Sequence, residues 1–106
     1  MTPSPPPLDM SALRAGAGLA VNALKVLANE DRLLLLCQMS QGEICVSALE
    51  QALAIRQPTL SQQLSVLRNE GVVTTRRDGK NIYYSVASPE LLAILTLLYQ
   101  LYCPKE

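Results

Sequence analysis

The feature that most constrains the fold of this chain is a two-residue turn signal, Asp78-Gly79, between two segments rich in Val, Thr, Ile and Tyr. Asp-Gly flanked by such segments is the strongest short-range indication of a β-hairpin. The expected strands are residues 72–77 and 80–86, so that Arg77 and Lys80 would pair across the turn. The sequence therefore predicts one hairpin whose tip carries positive charge.

Helices are expected to form most of the remaining chain. Its 106 residues include twenty leucines but no Phe and no Trp, a composition typical of a core of packed aliphatic helices. Apolar residues recur at spacings of three and four over residues 10–27, which predicts a first helix. Asn29 is placed to cap a second helix, which Gly42 ends.

A short third helix and a longer fourth helix precede the hairpin. Ser47 and Glu50 have the spacing of a capping box, which predicts the third helix over residues 48–54. Pro58 fits the first turn of the fourth helix, which ends at Gly71. Two such helices followed by a basic hairpin are the order of a winged helix-turn-helix, whose second helix enters the DNA major groove. We therefore expect a mainly α fold with one β-hairpin: four helices, the hairpin and a fifth helix.

The fourth helix has an uncharged polar side, and the hairpin is basic. Amide and hydroxyl groups can pair with base edges, whereas arginine and lysine neutralise phosphates. The candidate base contacts are Gln57, Thr59, Ser61 and Gln62. The candidate phosphate contacts are Ser65, Arg68, Arg76, Arg77 and Lys80. The alternative is a merely solvated helix side beside strands whose charges prevent aggregation, but helix surfaces usually favour Glu and Lys pairs.

The fifth helix, from Pro89 to about Tyr102, is apolar nearly all round. A chain of this length has too little interior to surround such a helix, so a second copy should cover part of it and the protein should be a homodimer. The length allows one winged-helix domain, residues 9–106. Residues 1–8 are expected to form a disordered Pro-rich tail.

Composition narrows the possible functions. The sequence has no His and no CxxC pair, which argues against most enzyme classes and common metal sites, so we expect no enzyme, metal or cofactor. No secretory signal or apolar membrane span is visible, which predicts a cytoplasmic protein with reduced cysteines and no membrane contact. The formal net charge is zero, but residues 51–80 hold five basic and two acidic side chains. This local excess suggests a face directed at phosphate.

Three segments resemble the ArsR-type family of dimeric bacterial repressors: residues 24–33 (LKVLANEDRL), 57–71 (QPTLSQQLSVLRNEG) and 75–86 (TRRDGKNIYYSV). The resemblance covers about residues 23–104. Within that family the chain is most similar to the sulfide- and persulfide-responsive branch of BigR-, SqrR- and HlyU-like regulators. That branch typically carries one cysteine in the second helix and one near the end of the last, as Cys37 and Cys103 do.

The resemblance implies a repressor that binds a promoter palindrome of double-stranded DNA when reduced. It would release the DNA when a disulfide or a short polysulfide chain joins Cys37 and Cys103, with inorganic polysulfide or persulfide donors, or oxidants, as effectors. Such a cross-link would tie the DNA-binding unit to the dimer interface, which is the coupling that an allosteric switch needs. The alternative for Cys37 is a buried hydrophobe without a sensing role.

A second possibility keeps the fold and makes arsenite or another thiophilic ion the effector. Residues 43–49 (EICVSAL) are similar to the E-L-C-V-C-D-L pattern of arsenic sensors in this family, but Ser47 replaces the second thiol. Cys45 is therefore expected to be structural or incidental. A module that binds only proteins and a thiol oxidoreductase are further alternatives.

Overall fold

A computed structural model describes residues 5–104, which form five α-helices and three β-strands. In chain order these are α1 (Met10–Leu27), α2 (Glu30–Met39), β1 (Ile44–Cys45), α3 (Val46–Leu53), α4 (Gln57–Asn69), β2 (Val73–Asp78), β3 (Asn81–Val86) and α5 (Pro89–Tyr102). The predicted winged helix-turn-helix is confirmed, with α3 and α4 as the two helices and β2 and β3 as the wing. Of the predicted tail, residues 1–4 lie outside the described residues, and residues 5–8 are exposed without regular structure.

Polar side chains cap three of the helices. Asp9 caps α1, Asn29 accepts a hydrogen bond from the backbone N–H of Arg32 at 3.1 Å, and Ser88 accepts one from that of Leu91 at 3.1 Å. Each bond satisfies a backbone donor that has no partner within its own helix. The cap predicted at Asn29 is confirmed, and α1 and α5 begin and end where the sequence predicts.

The capping box predicted for the third helix is wrong. The helix begins at Val46, with Cys45 as its N-cap. Ser47 lies within the first turn, and Glu50 accepts a hydrogen bond from Gln57 of α4 instead. The helix starts early because β1 pairs with β3 and passes the chain directly into the first helical turn.

The sheet has three antiparallel strands in the order β1-β3-β2. The strand β1 is not predicted from the sequence, because two residues are too few to show the alternation of a strand. It adds a third strand to the predicted hairpin. It places Cys45 opposite Tyr83 and Ile44 opposite Tyr84. The wing is thereby attached to the segment that leads into α3.

The hairpin turn differs from the predicted one. Asp78 pairs with Asn81, so the two turn residues are Gly79 and Lys80, and Arg77 does not pair with Lys80. Gly79 has a φ of 62°, which suits the first central position of a type II′ turn, where glycine is favoured. The strand therefore extends through Asp78, and Lys80 lies at the tip of the wing.

Aliphatic side chains from the helices form the core around Tyr84 of β3. The fully or almost fully buried residues include Leu35, Leu36, Met39, Leu49, Leu60, Leu64, Leu67, Leu91 and Leu95. The three leucines of α4 among them follow i, i+4 and i+7 spacing. Because they fix one side of α4 in the core, the opposite side faces solvent.

The helices α1 and α5 keep large apolar side chains exposed in the single chain. These are Met10, Leu13, Leu19, Val21 and Leu24 on α1, and Leu97, Tyr99, Leu101 and Tyr102 on α5. The apolar stripe predicted along α1 packs only at its end, where Val26 and Leu27 are buried. Within residues 5–104, no helix is long and apolar enough to cross a membrane.

Candidate functional site

The solvent side of α4 carries five uncharged polar residues, which we call the reading face. Gln57, Ser61 and Gln62 are exposed, and Thr59 and Ser65 are half-buried at its margins. The leucines on the opposite side hold the helix in the core, so this face cannot turn inward. Its amides and hydroxyls are the groups that pair with base edges in a major groove.

A chain of hydrogen bonds orients the start of the reading face. Gln57 donates from Nε2 to a carboxylate oxygen of Glu50 at 2.9 Å, and its Oε1 accepts a hydrogen bond from the Ser61 hydroxyl at 3.0 Å. In this arrangement Ser61 presents lone pairs to an incoming base, because its proton is already donated. Sequence reasoning missed Glu50 in this role, since it treated Glu50 as a helix cap.

The wing presents two exposed cations. Arg77 donates only a long 3.4 Å hydrogen bond to the carbonyl of Gly79, and Lys80 lies at the turn. Both side chains are exposed, and neither forms an ion pair within residues 5–104.

Arg76 differs from them because it forms an ion pair with Glu43. Its Nη2 lies 2.6 Å from Oε1 of that carboxylate, and its guanidinium lies 4.7 Å from the centre of the Tyr83 ring. The hydrogen bond from Arg76 lowers the pKa of Glu43. Part of the positive charge predicted for the wing is thus neutralised within the chain, by a residue 33 positions away that no local pattern indicates.

Arg68 is also held by contacts within the chain. Its guanidinium donates to the Ser65 hydroxyl at 3.0 Å and to the hydroxyl of Tyr84. Tyr84 is buried, so these bonds connect the end of α4 to the sheet. Arg68 remains exposed on its other side and is placed to contact phosphate beside the reading face.

Arg32, at the start of α2, joins three helices. Its guanidinium donates to the carbonyls of Val26 at 2.7 Å and Lys25 at 3.0 Å in the last turn of α1, and to Oε1 of Gln63 in α4 at 3.1 Å. A cation at the C-terminus of α1 is favourable, because carbonyls there lack helical partners. Sequence reasoning missed this link, which depends on the packing of α1 and α4 against α2.

The two candidate sensing thiols differ in exposure. Cys37 is half-buried in α2, and Cys103 is exposed directly after α5. Burial raises the pKa of the Cys37 thiol, and the negative charge of a Cys103 thiolate raises it further. All three cysteines are free thiols.

A cavity of about 540 Å³ opens beside Cys37, between α2 and α5. Its lining residues are Leu34, Cys37, Gln38, Ser40, Gln41, Leu53, Leu95, Thr96, Tyr99 and Gln100. None of these carries a formal charge. The cavity reaches the last turn of α5, which Cys103 follows.

Cys45 lies apart from this pair, at the junction of β1 and α3. Its sulfur is 3.4 Å from the Ser47 hydroxyl, and this hydrogen bond lowers the pKa of the Cys45 thiol. Within residues 5–104, no group of three His, Cys, Asp or Glu side chains is arranged to hold a metal ion.

Comparison with known proteins identifies the family. The biofilm growth-associated repressor of Agrobacterium fabrum is 44% identical to this chain over 110 residues, which cover 99% of the chain and 94% of that protein. The sequence profile described as "Bacterial regulatory protein, arsR family" matches residues 29–75, from the cap of α2 into the wing. The chain belongs to the arsR family of bacterial regulatory proteins.

Solved structures agree with this arsR-family assignment. The transcriptional repressor BigR from Xylella fastidiosa has a TM-score of 0.86 and 39% identity, and the match covers 92% of this chain and all of that one. Reduced HlyU from Vibrio cholerae has a TM-score of 0.83 and 37% identity, and covers 89% of this chain and 99% of the other. These relatives are transcriptional regulators and not enzymes, as the sequence predicts for this chain. The predicted similarity to the BigR and HlyU branch is confirmed.

Proposed function

We propose that this arsR-family protein is a homodimeric repressor that releases its operator DNA when reactive sulfur species join Cys37 and Cys103. The observation that carries the proposal is the exposed, uncharged reading face on α4, in a chain that also has a half-buried thiol in α2 and an exposed thiol directly after α5. The similarity of this chain to the transcriptional repressor BigR supports repression, and not activation, as its effect on transcription. The effectors are inorganic polysulfides or persulfide donors.

The DNA contacts divide by chemistry. Gln57, Thr59, Ser61 and Gln62 contact base edges, because amides and hydroxyls can pair with them in the major groove. Phosphate contacts, which fix position without reading sequence, are assigned to Ser65, Arg68, Arg77 and Lys80, and to Arg76 where phosphate displaces Glu43 from its ion pair. The two reading faces of a dimer contact half-sites one helical turn apart, roughly 10 base pairs or a multiple of it.

The homodimer follows from the apolar side chains that α1 and α5 leave in solvent. On α5, Leu97 is 53% exposed and Leu101 is 64% exposed. Apolar stripes on both helices of a soluble protein favour a second copy as the covering partner. Each subunit would then bring its own thiol pair close to the interface, because Cys103 directly follows α5.

The exposed thiol reacts first. The Cys103 thiolate attacks the terminal sulfur of a persulfide R–S–SH, which gives Cys103–S–SH, and R–S⁻ leaves and takes up a proton. Cys37 then attacks the sulfur of Cys103 and expels HS⁻, which takes the Cys37 proton. The sum is two thiols and R–S–SH converted to one disulfide, R–SH and H₂S. Cys37 acts second because its raised pKa leaves less thiolate.

A path exists from this bond to the DNA-binding surface. The helix α2 carries both Cys37 and Arg32, and Arg32 holds Gln63 of α4 at 3.1 Å. A bridge between Cys37 and Cys103 would pull α2 towards the end of α5, and Arg32 would transmit that shift to α1 and α4. A covalent bond then favours one arrangement of the two reading faces over another.

Cysteine variants test the switch. We measure fluorescence anisotropy of a labelled duplex from the region upstream of the gene, with and without inorganic polysulfide. Cys103→Ser and Cys37→Ser are expected to bind DNA as the wild type does and to resist release, whereas Cys45→Ser is expected to release normally. Normal release of DNA by Cys103→Ser would contradict the proposal.

Arsenite is the alternative effector, favoured only by the lowered pKa of the Cys45 thiol. A soft ion prefers several thiolates, and the neighbour of Cys45 is the hydroxyl of Ser47. Measuring DNA release by arsenite in the wild type and in Cys45→Ser distinguishes the two candidate effectors. Release by arsenite that is lost in Cys45→Ser would favour the metalloid and not reactive sulfur.

A further inference from the structure

We propose that the cavity beside Cys37 is an entry site for uncharged organic sulfur donors, such as dialkyl trisulfides, in preference to anionic ones. This inference rests on the thiol switch proposed above and adds the chemical class of its effector. It starts from the lining of the cavity, in which every side chain is apolar or an uncharged amide, hydroxyl, phenol or thiol.

Size favours an organic donor. The cavity measures about 540 Å³, which lies within the roughly 300–1,000 Å³ of sites that hold small organic ligands. A bare chain of two or three sulfur atoms would leave most of this space unfilled. The side chains of Leu34, Leu53 and Leu95 form an apolar wall that alkyl groups of a donor can contact. The amides of Gln38 and Gln100 can form hydrogen bonds with polar groups at the ends of those alkyl chains.

Charge separates the possible donors. A carboxylate or a persulfide anion that enters the cavity loses water and meets no cationic side chain among the lining residues. An uncharged donor avoids this cost and gains from contact with the apolar wall.

A trisulfide closes the thiol pair without another oxidant. The Cys103 thiolate attacks an outer sulfur of R–S–S–S–R, the bond to the central sulfur breaks, and R–S–S⁻ leaves and takes up a proton. Cys37 then attacks the sulfur of Cys103 in the mixed disulfide, and R–S⁻ leaves with the Cys37 proton. Two thiols and one trisulfide become one disulfide, one persulfide R–S–SH and one thiol R–SH.

Two trisulfides that differ only in charge test the inference. Bis(2-hydroxyethyl) trisulfide is neutral, and bis(2-carboxyethyl) trisulfide carries two carboxylates on the same reactive core. For each trisulfide, the rate at which the full chain loses free thiols without DNA is measured by intact mass. This rate is divided by the rate at which the same trisulfide reacts with the small thiol N-acetylcysteine amide, which corrects for its intrinsic reactivity. We expect the normalised rate of the neutral donor to be about tenfold higher, since each charge must enter an uncharged site. Equal normalised rates would overturn the inference.

A lysine placed in the cavity provides the matched variant. Gln100→Lys adds a cation to the lining, and Gln51→Lys adds one at an exposed position of α3 outside it. Gln100→Lys is expected to speed the carboxylate donor about fivefold at low salt, with less gain at high salt. The same response in both variants would place the preference outside the cavity and contradict the inference.

DNA release separates failure of the inference from failure of the proposed switch. If both donors close the thiol pair at equal normalised rates and both release DNA, the switch stands and the cavity has no selective role. If the pair closes and DNA stays bound, the switch itself is wrong and the inference falls with it. If neither trisulfide reacts, the inference is overturned, and the switch by inorganic polysulfide still stands.

Discussion

At the scale of single residues, the three thiols differ in their surroundings and therefore in their reactivity. Burial and the neighbouring Cys103 raise the pKa of Cys37, whereas the Ser47 hydroxyl lowers the pKa of Cys45. A higher pKa means a smaller thiolate fraction at neutral pH, and the thiolate is the reactive form. The sequence predicts a reactive Cys103 from its place at a helix end, but the difference between Cys37 and Cys45 depends on packing.

Alkylation tests this difference. At pH 7 iodoacetamide is expected to modify Cys45 before Cys37, and the rate at Cys37 is expected to keep rising at pH values where the rate at Cys45 has levelled off. Peptide mapping by mass spectrometry measures both rates, with urea-unfolded protein as the control in which they become similar. Faster labelling of Cys37 than of Cys45 in the folded protein at pH 7 would contradict the assigned pKa directions.

The ion pair between Glu43 and Arg76 limits the charge of the wing. Glu43→Gln is expected to tighten binding to all DNA sequences by up to about fivefold at low salt and to steepen the salt dependence by about one counterion, because Arg76 becomes available to phosphate. Glu70→Gln removes one negative charge without releasing an arginine and is the control. An identical change in both variants, measured by anisotropy at several salt concentrations, would mean that Arg76 makes no phosphate contact.

At the scale of secondary structure, the helices and strands that have a strong local sequence pattern are predicted correctly. Those that depend on pairing with a distant segment are not. The i, i+4, i+7 leucines of α4 and the Asn29 cap are local signals, and the structure contains both. The strand β1 and the early start of α3 depend on pairing with β3, nearly 40 residues later in the chain. In the same way, the reading face could be predicted from α4 alone, whereas Glu50, which orients Gln57 at its start, could not.

The helix α4 and the wing should respond differently to substitution. Gln62→Ala is expected to change which bases are preferred, because we propose that the Gln62 amide pairs with base edges. Arg77→Ala is expected to weaken binding to all sequences and to flatten the salt dependence by about one counterion, because we propose that Arg77 contacts phosphate. Selection from a randomised duplex pool, with titrations on specific and random DNA, measures both effects. Equal losses on both DNAs for the two variants would refute this division of roles.

At the scale of the whole molecule, the exposed apolar stripes of α1 and α5 are the surfaces that the proposed homodimer would bury. The sequence predicts a partner for α5 from its uniform apolar composition, and the structure adds α1, whose stripe is buried only at its end. Arg32 of α2 links α1, which carries one of these stripes, to α4, which carries the reading face. Assembly and DNA binding are therefore expected to change together.

A charge placed in the α5 stripe tests this expectation. Leu97→Asp is expected to shift the protein to monomers and to weaken operator binding at least tenfold, because two half-sites are no longer bound by one particle. Leu97 is 53% exposed in the single chain, so the fold should persist in circular dichroism. Sedimentation velocity measures the assembly, with Gln51→Asp on α3 as the control. A Leu97→Asp protein that remains dimeric would place the interface elsewhere.

The central claim is that closing one thiol pair releases DNA. Native mass spectrometry of the protein and its operator duplex, titrated with inorganic polysulfide, tests it most directly because it records the sulfur bond and the bound DNA in the same particles. We expect the DNA-bound dimer to disappear as subunits acquire a bridge between Cys37 and Cys103, with the bridge confined to the DNA-free species. DNA that stays bound to fully bridged dimers, or that dissociates from dimers with both thiols free, would contradict the claim.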